Sequence, residues 1–317
     1  MRTLMRAVHH AALFVCFLSA TPAFAYGVVG GREFVEPFVT EDANVMNAVM
    51  VQGCFVHRRD GDRQEIVYEI EKKLTPGMSV FLMHGANWNF REEESMGACP
   101  AMEEPMGMAP VMEEGEAEAK RPAAHSGFQN LQVGVKRQVY RSESHEALVS
   151  VAAELEVPTG SERAGAMSHP MAGFMLLYAK GLGDLPPRFS WVRPLAVQGD
   201  IMFETPLGVG RPENMLAWNL AFQYHLGILH EMLSFPKALE HLVFLSEFSF
   251  ETPVNGPARG RTEAFVTPGV VWKAKKFQLG VALHMPMTQG EERLTVLPTA
   301  AIFYEEIFPA LGRTLRP

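Results

Sequence analysis

The chain repeatedly alternates apolar and polar side chains over stretches of about ten residues, and no other feature constrains its fold as strongly. From Leu216 to Leu226, Leu216, Trp218, Leu220, Phe222, Tyr224 and Leu226 fall on one side of an extended chain. Ala217, Asn219, Ala221, Gln223 and His225 fall on the other. A strand has a side-chain period of two, so one face becomes an apolar stripe and the other a polar one. Strands of soluble proteins run about five or six residues, whereas a strand tilted across a bilayer needs roughly nine to eleven. Repetition at that length predicts an all-β fold: a transmembrane, antiparallel, up-and-down β-barrel.

The N-terminus agrees with export. Arg2 and Arg6 precede an apolar run from Ala11 to Ala20, and Ala23-Phe24-Ala25 forms a small-x-small cleavage site. This reads as a secretory signal peptide over 1–25, cleaved after Ala25. The apolar run is too short for a spanning helix, which needs roughly twenty residues. No later segment offers a long uninterrupted apolar run either. An exported chain that crosses a membrane with strands belongs in a Gram-negative-type outer membrane. The expected partners are outer-membrane lipid, the barrel assembly machinery and a small-molecule solute.

Residues 26–43 lack alternation and read as a periplasmic lead-in or a partial plug, ahead of a barrel over 44–304 and a C-terminal tail over 305–317. A weak first strand lies within Asn44 to His57. In Arg63 to Lys73, Ile66, Tyr68 and Ile70 oppose Glu65, Glu69 and Glu71, and Leu74-Thr75-Pro76-Gly77 makes a turn before the return strand Met78 to Phe90. Residues 92–126 are acidic, Met-rich and aperiodic, which predicts a long loop. Further on, Leu131, Val133, Val135 and Val139 oppose Gln132, Lys136 and Gln138. Val149, Val151, Ala153, Leu155 and Val157 oppose Ser150, Glu154 and Glu156. Ala172 to Lys180 is ambiguous, because both faces are apolar. Leu195, Val197, Ile201 and Phe203 oppose Gln198, Asp200 and Glu204, and Phe244, Phe248 and Phe250 oppose Glu247, Ser249 and Glu251. After a weaker strand, Thr262 to Lys273, the residues Phe277, Leu279, Val281, Leu283 and Met285 oppose Gln278 and His284. Leu294 to Tyr304 closes the set.

That makes about twelve strands, an even number as single-chain bacterial barrels require. With both termini periplasmic, the turns after even-numbered strands should be short; LTPG, RSESH and KAKK are, KGLGDLPP is medium and Gly227 to His241 is longer, and the Met/Glu insert falls on the extracellular side. Tyr140, Tyr178, Trp191 and Trp272 fall near the periplasmic rim, as an aromatic girdle does.

The formal charge is −8, and −10 once Arg2 and Arg6 leave with the signal. Such a charge speaks against nucleic acid as a partner. Cys54 and Cys99 remain as an exported pair that could form a disulfide. No metal-ligand spacing or cofactor motif is present. The methionines Met96, Met102, Met106, Met108 and Met112 around Cys99 would suit a soft metal, but a chain with 19 methionines explains the cluster by composition.

Several phrases resemble a family of outer-membrane barrels related to the transporters of the meta-pathway of phenol degradation. They are EPFVTED near Glu36, YEIEKKLTPGMS from Tyr68, GFQNLQVGVKRQVY from Gly127, AAELEVPTGSE from Ala152, AKGLGDLP from Ala179, ETPVNG from Glu251, TPGVVW from Thr267 and EEIFPALG from Glu305. The resemblance spans most of the mature chain and carries no catalytic signature. It implies an outer-membrane barrel and, more loosely, transport of small molecules, hydrophobic or aromatic ones among them. Two departures stand out. The Met/Glu insert is long for its position, and the chain ends LGRTLRP, leaving Phe303 or Tyr304 as the closing aromatic.

No catalytic constellation is expected. The histidines His84, His145, His169, His225, His230, His241 and His284 are scattered, and Ser150 and Ser249 are isolated inward positions. The expected lumen lining is Glu69, Glu71, Gln132, Lys136, Glu154, Glu156, Gln198, Asp200, Glu204, Asn219, Gln223, His225, Glu247, Glu251, Gln278 and His284. Its acids are answered mainly by Lys136, so an open pore should prefer cations. The expected function is an outer-membrane channel or transporter-like barrel for small molecules. The alternative is a structural or interaction barrel with a closed lumen and a functional extracellular loop.

Overall fold

A computed structural model describes residues 28–56, 63–90, 125–208, 213–230, 233, 236–288 and 294–308. The expected signal peptide, nearly all of the Met/Glu insert with Cys99, and residues 309–317 lie outside the described residues. Twelve long strands form the wall: β1 Ala48–Val56, β2 Arg63–Thr75, β3 Met78–Phe90, β4 Leu131–Ser142, β5 Ala147–Val157, β6 Met171–Gly181, β7 Leu195–Pro206, β8 Met215–His225, β9 Leu242–Pro253, β10 Glu263–Lys273, β11 Phe277–Pro286 and β12 Thr295–Phe303. Each pairs antiparallel with the next, and β12 pairs with β1 from Thr295↔Val56 to Phe303↔Ala48, which closes the ring. A short strand, His125–Phe128, continues the place of β4 along the far end of β3.

The wall is polar inside and apolar outside. In β2 burial alternates residue by residue, with Arg63, Glu65, Val67, Glu69 and Glu71 buried and Ile66, Tyr68 and Ile70 exposed. In β8, Ala217, Asn219, Ala221, Gln223 and His225 are buried, and Trp218 on the outer face stacks on Phe250 of β9 with ring centroids 3.8 Å apart. Phe174, Leu176, Ile201, Phe203, Phe244, Leu279, Val281, Leu283 and Ile302 continue the outer apolar belt. Such a surface cannot face water, and a closed barrel satisfies every ladder group within the wall, so the polarity is that of a membrane-spanning barrel. Among the described residues no helix is long and apolar enough to cross a membrane, which says nothing of strands.

One end of the barrel carries the turns after β2, β4, β6, β8 and β10, together with the start of β1 and the end of β12. The other carries the remaining connections. The connections at the first end are short after β2, β4 and β10 but long after β6 and β8, so length alone does not separate the two ends. Tyr140 and Trp191 are exposed at the first end. Phe303, considered above as the closing aromatic, turns inward and is 1% exposed, while its neighbour Ile302 faces out. Tyr304 opens a single helical turn, Tyr304–Ile307, and donates its hydroxyl to the carbonyl of Glu71 at 2.9 Å.

The first strand begins at Ala48, later than the sequence suggests, because residues 44–47 belong to a different structure. After a small hairpin, Val28–Val29 against Arg32–Glu33, the chain enters the barrel. Every residue from Phe34 to Asn47 is buried except the half-buried Glu41. This segment resolves the ambiguity of β6. Its inner side chains Met175, Leu177 and Ala179 pack in one apolar cluster with Phe34 and Ala43, so both faces of that strand are apolar for different reasons.

Candidate functional site

The barrel interior is the candidate site, and its geometry follows from what the entering segment needs. A peptide outside a sheet leaves each backbone N–H and C=O without a ladder partner, and burying them unpaired is costly. The wall supplies those partners. Gln223 of β8 accepts from the Val35 N–H at 3.3 Å and donates to its carbonyl at 2.8 Å, and Gln198 of β7 donates to the same carbonyl at 2.8 Å. Gln278 of β11 holds Glu36 in the same two-sided way, both bonds 3.2 Å. The Glu247 carboxylate of β9 accepts from Phe38, Val39 and Thr40 at 2.7, 2.9 and 2.8 Å. Asp200 accepts from Glu41 at 2.8 Å and is itself held by Asn219 at 3.0 Å. From 35 to 41 every N–H is thus bonded to the wall, and Pro37 occupies the one position that has none.

Deeper contacts continue the pattern. Glu71 accepts from Met46 at 3.0 Å and pairs with Lys136 at 3.2 Å, and Ser150 donates to the Ala43 carbonyl. Gln52 of β1 donates to the Phe38 carbonyl at 3.1 Å. The Phe38 ring lies where two wall glycines leave room: a Cβ on Gly269 would come within 2.6 Å of it, and one on Gly280 within 2.8 Å. At the rim, fully buried Arg32 bonds Glu146 at 3.2 Å and the carbonyls of Pro194 and Arg193, and Lys273 pairs with Glu33.

Beyond the bonds just described, the remaining expected lining residues lie on the same inner face. His225 bonds Gln223 at 3.2 Å, His284 bonds Thr267 at 2.8 Å, and Glu156 accepts from Asn130 at 2.6 Å. Glu204, Glu251 and Gln132 are buried, Glu154 is half-buried, and Glu69 lines a cleft beside the segment. Lys136 is not alone in answering the acids. Arg63 pairs with Glu65 at 3.2 Å, and Lys73 lies 3.7 Å from Glu305. At the far end, Asn87, Gln129 and Asn130 bond the carbonyls of Ala164 and Met167, folding the connection between β5 and β6 over part of the mouth.

Arg32 and Gln52 were missed by sequence reasoning. Gln52 sits in a strand with weak alternation, and Arg32 precedes all the strands of the wall. The electrostatics of the segment follow from its depth: burial, with Asp42 nearby, pushes the Glu36 carboxyl well above its ordinary value, and burial likewise raises Asp42. Neither inward serine is poised as a nucleophile, since Ser150 donates to a backbone carbonyl and the Ser249 hydroxyl has no partner. Among the described residues no cluster of three or more His, Cys, Asp or Glu could hold a metal ion. Cys54 is buried, and Cys99, considered as its partner, lies outside the described residues.

No family model and no curated protein matches this sequence, so the resemblance to the meta-pathway barrels rests on the quoted phrases. Among solved structures, the chain is similar to the NanC porin (8% identity, TM-score 0.47) and the KdgM porin (11%, 0.43). Each likeness covers 80% of this chain and 98% of the other. It is also similar to outer membrane phospholipase A from Escherichia coli, with 10% identity and a TM-score of 0.40 over 83% of this chain and 93% of that one. Porins and an enzyme both stand among these likenesses, so they say nothing of activity, and what the chain is remains the closed, antiparallel, twelve-stranded β-barrel described above.

Proposed function

We propose that the chain is an outer-membrane channel-type barrel for small solutes, closed in this state by its own N-terminal segment and without enzymatic activity. One observation carries the reading: the wall holds the segment by its backbone. Gln198, Gln223, Glu247, Asp200 and Gln278 belong to β7, β8, β9 and β11, so one side of the interior grips the segment. The opposite side, β1, β2, β3 and β12, adds the bonds of Gln52 to Phe38 and of Glu71 to Met46 and otherwise faces the segment across a cleft lined by Met50, Gln52, Val67, Glu69, Met83 and Thr299. A lumen meant to stay shut needs only interlocking side chains. Here the polar groups serve a removable occupant, and water can take over the same bonds when it leaves.

The end with both chain-side strand termini is read as periplasmic, so the segment enters from that side after the signal is cleaved. With the segment gone, the exposed acids Glu69, Glu154, Asp200, Glu204, Glu247 and Glu251 outnumber the inward cations, which favours cation passage. The preference for hydrophobic or aromatic solutes rests on the family resemblance alone.

Planar-bilayer recording of the refolded protein tests this. Deleting residues 34–46 should convert a mostly silent barrel into one with steady, cation-preferring conductance. A deletion variant that folds, judged by heat-modifiable mobility, yet conducts nothing would overturn the channel reading in favour of a structural barrel.

A further inference from the structure

Between the gripped segment and the opposite wall lies a small, partly open cleft, with enclosed room for a few water-sized groups and an open side beyond. Its lining divides by chemistry. Pro37, Phe38, Val39, Met50, Val67 and Met83 form an apolar and aromatic bed. Glu36 and Glu41 from the segment and Glu69 from β2 bring three carboxyl groups to the same space. None of the lining residues is basic. Lys136 acts on all three acids from β4, but its ammonium is bonded to Glu71 at 3.2 Å.

A second observation points to a ligand. Oε2 of Glu36 is buried without a hydrogen-bond partner, in a residue only 7% exposed. A buried carboxyl oxygen left without a partner gives up its bond to water and gains none in return. The missing partner is a donor, and the surrounding acids favour a positively charged one. Phe38 offers an aromatic face, which attracts cations by its quadrupole, and the methionines offer an adaptable apolar surface.

We infer that this cleft binds a small organic cation: an ammonium group set among Glu36, Glu41 and Glu69, with its apolar body on Phe38, Val67 and Met83. The site needs the docked segment, which supplies half of it, but it does not need conduction. It therefore narrows the solute class of the channel reading without depending on that reading.

The test is calorimetric titration of the full-length protein in detergent with benzylamine, benzyl alcohol and benzoate, three probes that share a ring and differ in charge. Benzylamine should bind at least about tenfold more tightly than the other two. Glu36→Gln and Glu69→Gln should each weaken it about tenfold, and deletion of 34–46 should abolish it, all with heat-modifiable mobility retained. Equal binding of the three probes would show an apolar pocket only, and tighter binding of benzoate would show that Lys136 governs the site. Either result overturns the proposal, as does undiminished benzylamine affinity in the Glu36→Gln/Glu69→Gln double variant. Failure here leaves the conductance of the deletion variant untouched, and a silent deletion variant leaves this binding result untouched, so the two readings fail separately.

Discussion

Glu247 accepts more backbone bonds from the segment than any other described wall residue. Its carboxylate is fully buried and accepts three consecutive backbone N–H groups, those of Phe38, Val39 and Thr40, at 2.7–2.9 Å. Glu247→Ala strands all three. A buried donor left unsatisfied costs about 1–3 kcal/mol, so the docked segment should lose about 3–9 kcal/mol. Water entering the vacated space recovers part of this, which favours the lower end. At about 1.4 kcal/mol per factor of ten, about 3 kcal/mol still raises the undocked-to-docked ratio about a hundredfold. Glu247→Gln keeps the shape and one acceptor oxygen but loses the charge, and should raise the ratio about tenfold.

The assay is single-channel recording, with the deletion of 34–46 setting the fully open level and protease nicking within 34–47 as a second readout. Open probability should rise in the order wild type, Glu247→Gln, Glu247→Ala, deletion. The reasoning is refuted if Glu247→Ala is as closed and as protease-resistant as wild type while the deletion conducts, because the three bonds would then contribute nothing to docking.

Three further outcomes follow from the same geometry. Ile201→Arg places a charge on the outer face of β7, at a cost of about 2–4 kcal/mol near mid-bilayer, and should deplete folded barrel. Glu204→Arg, three residues on and facing Glu154, Glu156 and Glu251, should not, as heat-modifiable mobility will show. Gly269→Ala drives a methyl group against both the Phe38 ring and the Ala282 methyl of β11 and should loosen the segment, and the added Phe38→Ala should relieve the first clash but not the second, so the pair is non-additive in open probability. Glu36 and Asp42, whose carboxyls are raised by burial, bind protons more tightly when docked than when free. Docking is therefore complete at low pH and weakens as pH rises through the raised values, where the ionised groups face Glu41, Glu69 and Glu71 with Lys136 opposing. Open probability should thus be higher at about pH 9 than at about pH 5, and the reverse order would contradict this.

The wall was legible in the sequence because each strand carries its own evidence. The facing of Ile66, Tyr68 and Ile70 against Glu65, Glu69 and Glu71 requires only a period of two, and the turn chemistry at Pro76-Gly77 marks where the strand reverses. The interior was legible only as a list of polar residues. That they meet a peptide depends on contacts between positions up to 242 residues apart, such as Glu36 with Gln278, which no local pattern encodes. Residues 34–47 lack alternation for the same reason: they join no sheet, so nothing imposes a period on them. The one local trace of the segment was the second apolar face of β6, where Met175 and Leu177 point inward. An inward apolar side chain in a water-filled barrel has no partner, so such a face implies that something apolar lies inside.

The amides and acids of the wall show what kind of occupant the interior suits. Gln223 and Gln278 each offer a donor and an acceptor to one residue, as a neighbouring strand would, so the wall imitates a sheet edge with side chains. Binding of this kind reads the backbone and not the sequence, apart from the places where a side chain must fit: Pro37, which has no N–H to satisfy, and Phe38, which fills the space left by Gly269 and Gly280. A true ladder would tie the segment into the barrel for as long as the barrel is folded. Side-chain surrogates hold it with groups that remain hydrated and soluble in an emptied lumen. On the channel reading the wall would serve two states, one gripping a peptide and one lined by water, with the same outer ladder closing the barrel in both.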